Sequence, residues 1–407
     1  MKAEWKTKTL DDVCQFSNGL WKGEKPPFVN VGVIRNTNFT KEGTLDDSDI
    51  AYLDVEARKL EKRRLQFGDI ILEKSGGGPK QPVGRVALFD KEDGDFSFSN
   101  FTAALRVLDP QELDFRFLHK SLYWTYLSGV TEGMQSHSTG IRNLDGDAYK
   151  AIKIRIPSLS EQQRIVGILD EAFDGLATAT ANAEKNLHNA RALFESHLQS
   201  VFTQRGKGWE EKPLENVVDE NCTLSYGIVQ PGHDYPNGLP VVRPTDLTAK
   251  VITLDGLKRI DPKLAEGYRR TTLRGDELLL CVRGSTGVVS VTVPDLVGAN
   301  VTRGIVPIVF DPSILRQDFG YFLMTSEAVQ NQIRAKTYGA ALMQINIGDL
   351  RKIVVSFPTL KEQKDMAAKL DLLAAEIRRL ESIYQQKLAA LDELKKSLLH
   401  QAFSGEL

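Results

Sequence analysis

The sequence has little cysteine, little histidine and no excess of charge of either sign. Its three cysteines, Cys14, Cys222 and Cys281, lie far apart along 407 residues. They make neither a metal-ligand spacing nor a disulfide framework, so a reducing cytoplasm is the expected compartment. The six histidines contain no His-x-x-x-His, which argues against zinc. No apolar run approaches the ~18 residues of a membrane span, and the opening MKAEWKTKTLDDV lacks the apolar core of a signal peptide. Lys+Arg is 52 against Asp+Glu 54, a net charge of -2, which excludes a protein that coats nucleic acid by bulk charge. It leaves room for local basic patches. Hydrophobic content of 41% and charged content of 26% belong to an ordinary globular chain, long enough for more than one core.

What is present is a long repeat. Trp5, Leu10 and Val13 return as Trp209, Leu214 and Val217. Gly68-Asp69 returns as Gly275-Asp276, which sets Glu73 and Lys74 opposite Leu280 and Cys281. Asn100-Phe101-Thr102 returns as Asn300-Val301-Thr302, and Asp114-Phe115 as Asp318-Phe319. The closest match is Pro157-Ser-Leu159-Ser-Glu161-Gln162 with Pro358-Thr-Leu360-Lys-Glu362-Gln363, a shift of 201 that then runs without a gap to Phe202 and Phe403. Ordered matches at nearly constant shift imply duplication. The chain divides into mixed segments 1–156 and 207–357 and helical segments 157–206 and 358–407.

Each mixed segment is rich in short strand-like runs: Asp69 to Leu72, Val83 to Phe89 and Ala103 to Leu108, then Glu277 to Val282, Val288 to Val293 and Gly304 to Phe310. Helices are expected near Phe115 to Leu127 and Phe319 to Arg334. Pro157 and Pro358 stop each mixed segment, since proline disfavours helix in the residue before it. Ser160 with Gln163 suits a capping box, whereas Lys361 in the second copy makes Thr359 the better cap. Leu370, Leu373, Ile377, Leu380, Tyr384, Leu391, Leu394 and Leu398 follow the 3-4 spacing of a coiled-coil seam. The first copy answers with Leu169, Ala172, Leu176, Ala179, Ala183, Ala190, Leu193 and His197. Small residues facing large ones allow an interlocked helix pair, and the interrupted heptad position is polar in both copies, Asn186 and Lys387, which suits either a register-setting seam residue or a helix edge. The expected class is α+β: two strand-rich domains separated by two long helices packed as an antiparallel coiled coil, with an internal pseudo-twofold repeat.

Catalytic patterns are weak. Pro26-Pro27-Phe28 follows Lys25 instead of the Asn, Asp or Ser that an amino-methyltransferase tetrapeptide needs, and no glycine-rich cofactor loop follows a strand. Ser75-Gly76-Gly77-Gly78 lacks the Gly-Lys-Ser/Thr ending of a phosphate loop. Asp69 with Glu73-Lys74 is not a nuclease spacing, and Gly-Asp reads more simply as a turn before a core strand.

The duplicated Pro-Ser/Thr-Leu-x-Glu-Gln motif, the Gly-Asp strand openings, Trp5, Trp209 and the closing Gln401-Ala-Phe403-Ser-Gly405-Glu-Leu407 resemble the DNA-specificity subunit of type I restriction-modification systems. The resemblance spans the chain. Gly78-Pro79-Lys80 and Ser138-Thr139-Gly140 depart from the family's plain glycine turn and its Ser-Thr-Gln. The resemblance implies two target recognition domains, each reading half of a bipartite site in double-stranded DNA, with the helices as spacer. It implies partner subunits: two methyltransferase subunits using S-adenosylmethionine, and a restriction/translocase subunit using ATP and Mg. The specificity chain itself would hold no cofactor and no metal and perform no chemistry.

Base readers should be polar or basic side chains on loops. The first-domain candidates are Lys74, Ser75, Lys80, the loop Gln135-Ser136-His137-Ser138-Thr139, and Arg142. The second-domain candidates are Arg283, Ser285, Thr286, Arg303, Lys336, Tyr338 and Gln344. The loops around His137 and Tyr338 hold corresponding places before each long helix. The run Arg58-Lys-Leu-Glu-Lys62-Arg63-Arg64 suits phosphates or a solvated helix face equally. A self-sufficient methyltransferase or nuclease would need the missing cofactor loop or acidic cluster. A protein-only coiled-coil scaffold is also compatible with the pattern. Residues 1–156 carry 23 basic and 23 acidic groups and residues 207–357 carry 17 and 17, so a reader here selects by placement of charge.

Overall fold

The computed structural model describes residues 5–20, 23–78, 81–138, 141–206, 208–340 and 342–407, without the side chains of 137 and 138. The chain forms two compact units, residues 1–184 with 386–407, and residues 185–385. Each unit is a strand-rich body with parts of both long helices, α1 (Leu159–Thr203) and α2 (Leu360–Ser404).

In the first unit Ile70–Glu73 lies between Thr102–Val107 and Val86–Leu88, with Cys14–Asn18 beyond, in an antiparallel sheet. Phe28–Ile34 pairs antiparallel with Ala51–Glu56 and parallel with Phe96–Phe98. Lys6–Thr9 pairs with Lys153–Ile156, so the first and last strands close the body just before Pro157. The second unit repeats the plan. Leu278–Cys281 lies between Val289–Val291 and Ile305–Ile308, Leu239–Val242 pairs parallel with Asn300–Val301, and Glu210–Pro213 pairs with Val354–Phe357. The central strands are continuous apolar runs because both faces are covered: Ile70, Ile71, Leu278, Leu279 and Leu280 are all fully buried.

The ladders correct the sequence register. Phe98 pairs with Ile34 as Val301 pairs with Val242, a shift of 203, so the two Asn-x-Thr tripeptides are not equivalent. Glu73 pairs with Thr102 as Cys281 pairs with Ile305, which sets Glu73 opposite Cys281 at a shift of 208. Asp69 therefore corresponds to Glu277 and not to Asp276. Each carboxylate accepts the backbone N–H three residues earlier, Gln66 for Asp69 and Arg274 for Glu277. The left-handed glycine stands third in one turn (Gly68, φ +88°) and second in the other (Gly275, φ +91°), so matching letters fall one residue out of step. The expected helix near Phe319 to Arg334 is also two helices, Gln317–Thr325 and Glu327–Lys336. They are interrupted at buried Ser326, whose hydroxyl donates to the Leu323 carbonyl at 2.7 Å.

The Glu-Gln motif anchors each long helix to its body. Fully buried Gln162 donates to the carbonyls of Glu112 and Pro157, both at 2.9 Å, and accepts from the Asp114 N–H at 2.8 Å. Gln363 makes the same three bonds, to Ile314 (3.0 Å), Pro358 (2.8 Å) and the Arg316 N–H (2.8 Å). In the first copy the cap is Ser158, whose Oγ receives the Glu161 N–H at 3.4 Å, and not Ser160, which already lies inside the helix. Thr359 exchanges bonds with Glu362 as a capping box.

The helices run antiparallel within each unit. In the first, Ile165, Val166 and Leu169 share a core with Leu399 and Ala402. In the second, Leu198 and Phe202 share one with Ala367 and Leu370. Ala183 is fully buried and Ile377 nearly so, while Ala172, Leu176, Leu373 and Leu380 are half-buried. The stripe leaves the expected seam toward the helix ends. Leu193 and Leu394 are 58% and 48% exposed, and Leu198 and Leu399 are buried in their place. Asn186 and Lys387 are exposed. A helix packed on a globular body follows its own 3.6-residue turn, which drifts from a strict 3.5-residue seam.

Candidate nucleic-acid interface

A small antiparallel patch in the first unit gathers most of its candidate residues. The strands are Gln135–Ser138, Ile141–Leu144 and Ser75–Gly77, in that order. Asn143 stands opposite both Ser136 and Ser75, and the Ser75 hydroxyl donates to its Oδ1 at 2.6 Å. His137 pairs with Arg142 along the backbone. Arg142 reaches Gln135 Oε1 at 3.4 Å, and Gln135 Nε2 donates to the Val83 and Thr131 carbonyls. Lys74 is drawn inward: its Nζ donates to Asn18 Oδ1 at 2.8 Å, and partial burial lowers its pKa. Arg63, from the basic run, donates to the Asn18 carbonyl, which ties that run to the same corner. Lys80 and Thr139 lie outside the described residues.

Beneath the patch is an ionic support. Glu73 is buried, and Arg85 holds it through Nε–Oε2 at 2.7 Å and Nη2–Oε1 at 2.9 Å, with Asn36 adding a bond at 3.1 Å.

The second unit builds the same frame from different side chains. Leu144 N donates to the Lys74 carbonyl, and Ile345 N to that of Val282. Asn143 opposite Ser75 becomes Gln344 opposite Arg283, and Ser136 opposite Asn143 becomes Tyr338 opposite Gln344. Gly76 and Gly284, the next residues, both have positive φ, +102° and +88°. Lys74 N donates to the Phe101 carbonyl as Val282 N donates to that of Gly304, which makes Asn100 and Arg303 counterparts. Thr286 donates to the Met343 carbonyl at 3.3 Å, Ser285 is exposed, and Tyr338 is half exposed. Lys336 ends the helix Glu327–Lys336, two residues before Tyr338. The buried pair is replaced: Glu73 and Arg85 occupy the places of Cys281 and Val288, since Glu73 N donates to the Arg85 carbonyl as Cys281 N does to that of Val288. Beside the frame is a pocket of about 610 Å³ lined by Arg243, Arg283, Arg303, Ile228, Pro231 and Leu342. The letters did not single out Asn143, Asn100 or Arg243. Correct strand register is the signal that finds them.

The family model described as the type I restriction modification DNA specificity domain matches residues 2–187 and again 206–388. The chain belongs to the type I restriction-modification DNA specificity family. Relatives of this specificity chain include the type I restriction enzyme EcoBI specificity subunit of Escherichia coli, 22% identical over 343 residues, 77% of this chain and 72% of that one. The EcoKI specificity subunit of Escherichia coli (strain K12) is 23% identical, covering 95% of this chain and 83% of its own. The fold matches the HsdS subunit from Thermoanaerobacter tengcongensis, with TM-score 0.60 and 18% identity over 100% of this chain and 98% of that one. It also matches a chain from a structure of complex assembly and conformational transition of the type I R-M system, with TM-score 0.78 and 19% identity over 100% and 99%. The duplication read from the sequence coincides with the two matched specificity domains. Among the described residues no helix is long and apolar enough to cross a membrane.

Proposed function

We propose that residues 1–156 and 207–357 are two readers, each bound to one half of a bipartite site in double-stranded DNA. The observation that carries this is the repeated strand frame with different side chains at matched places: Ser75, Asn100, Ser136 and Asn143 in one copy, Arg283, Arg303, Tyr338 and Gln344 in the other. A fold that keeps its frame and changes its tips suits two related tasks with different targets. Segments 157–206 and 358–407 set the spacing between readers. Each long helix has 45 residues, roughly 67 Å at 1.5 Å per residue. A rigid spacer fixes distance and phase, which a flexible linker does not. Two methyltransferase subunits dock on these helices and the adjoining bodies, and a restriction/translocase subunit completes the assembly. S-adenosylmethionine, ATP and Mg act in those partners, in the cytoplasm, and this chain supplies sequence choice without catalysis.

The test is selection of bound duplexes from a randomised pool by the chain assembled with its methyltransferase subunits. Enrichment of two fixed sequence blocks at constant separation supports the reading. Binding with no sequence preference refutes it and favours a protein-only scaffold.

A further inference from the structure

We infer that the second reader recognises guanine, through Arg283 and Arg303, and that its half-site contains a G·C pair on which these guanidinium groups depend. This deepens the DNA-reading proposal and rests on it.

Features common to both copies serve what both copies do, and features of one copy serve what distinguishes it. Arg283 and Arg303 stand where the first copy has Ser75 and Asn100. In the same stretch Gly304 stands where the first copy has Phe101, a residue 43% exposed. A β-carbon at Gly304 would come within 2.5 Å of Pro244 Cγ, so that position admits no side chain. Gly304 lines the same pocket as both arginines.

The third arginine of the pocket, Arg243, is committed: it holds Asp246 through Nε at 3.1 Å and Nη2 at 2.8 Å. Arg35 holds the equivalent place in the first copy and is tied to Asp49. Among the described residues no carboxylate lies within ion-pairing distance of Arg283 or Arg303. Arg283 Nε is buried without a hydrogen-bond partner. Among the described residues these two guanidinium groups have no carboxylate partner, and they line a pocket of about 610 Å³, Arg303 exposed at it, whose other walls include Ile228, Pro231 and Leu342 beside the polar Thr245, Ser285 and Thr302.

Guanidinium carries donors only, and the edge that offers two acceptors side by side in the major groove is guanine, with O6 and N7. Adenine puts a donor beside N7, and cytosine offers a donor. Ile228, Pro231 and Leu342 add apolar surface that can pack on a base, which a bare phosphate contact does not use.

The experiment maps methylated motifs in cells carrying the full chain with its methyltransferase subunits, for wild type, Arg283→Ser, Arg303→Asn, and the charge-preserving Arg283→Lys and Arg303→Lys. The expected result is a wild-type G·C pair in one half-site whose discrimination falls on the order of tenfold to a hundredfold in at least one lysine variant, with the other half-site unchanged. Should the Ser and Asn variants abolish methylation, the lysine variants still decide. Lysine variants with wild-type discrimination would mark the arginines as phosphate anchors and overturn the inference. So would a wild-type motif with no G·C pair in one half. Absence of any bipartite motif in wild type would instead refute the two-reader proposal itself.

Discussion

Gln162 Oε1 accepts the backbone N–H of Asp114 at 2.8 Å, and Gln363 repeats the bond with Arg316. The motif that most clearly marks the repeat thus faces inward, tying the start of each long helix to the loop before a body helix. Replacing Gln162 with leucine leaves one buried N–H and two carbonyls unpaired, each costing about 1–3 kcal/mol. Gln162→Leu and Gln363→Leu are expected to lower stability by about 3 kcal/mol or more, read as a reduced urea midpoint of the full chain.

Glu73 and Arg85 form a buried pair that the second copy replaces with Cys281 and Val288. Removing one partner of such a pair costs about 3–5 kcal/mol, whereas replacing both with well-packed apolar groups is often neutral. Glu73→Ala should therefore be much more destabilising than the double change Glu73→Cys with Arg85→Val. Thermal unfolding of the two variants side by side checks the order.

His119 is buried, and its Nε2–H donates to the Gly43 carbonyl at 2.8 Å. Burial, with nearby Lys120, lowers its pKa from 6.5 to about 4. The folded state stays neutral while the unfolded state takes up a proton below pH 6.5. Stability is therefore full above that pH and falls as the pH drops toward 4, by up to about 3 kcal/mol. Urea midpoints across this range should show the slope, and His119→Gln should flatten it.

Ser158, and not Ser160, caps α1. Ser158→Ala should cost about 1 kcal/mol and Ser160→Ala less than about 0.5 kcal/mol. Thr359→Ala should match Ser158→Ala. Helix melting by circular dichroism distinguishes the two positions.

Much of the fold is legible in the sequence because apolar runs and prolines act locally. The strand at Ile70 and the helix Phe115–Leu127 lie where their patterns put them, and both long helices start just after Pro157 and Pro358. Register is less legible. Gly-Asp aligned with Gly-Asp by letters, while the backbone set Asp69 against Glu277, because a turn can place its left-handed glycine at either of two positions. The seam at Leu193 and Leu394 failed for a similar reason, since the helices pack on bodies as well as on each other. At the candidate interface the letters proposed Arg283, Tyr338 and Gln344 from side-chain chemistry and, for the Tyr338 loop, from its place before the second long helix, and the strand pairing sets Gln344 against both of the others. Asn143 and Asn100 become candidates only through the backbone pairing, which sets them at the places of Gln344 and Arg303.

On the two-reader proposal, this chain supplies two separate sequence readings to one complex. Methylation mapping of DNA from cells with the partner methyltransferase subunits, with and without this chain, tests it most directly. The expected result is a motif of two specified blocks around an unspecified spacer, present only with the chain. A motif that persists without the chain, or a single contiguous block with it, would refute two separate readings.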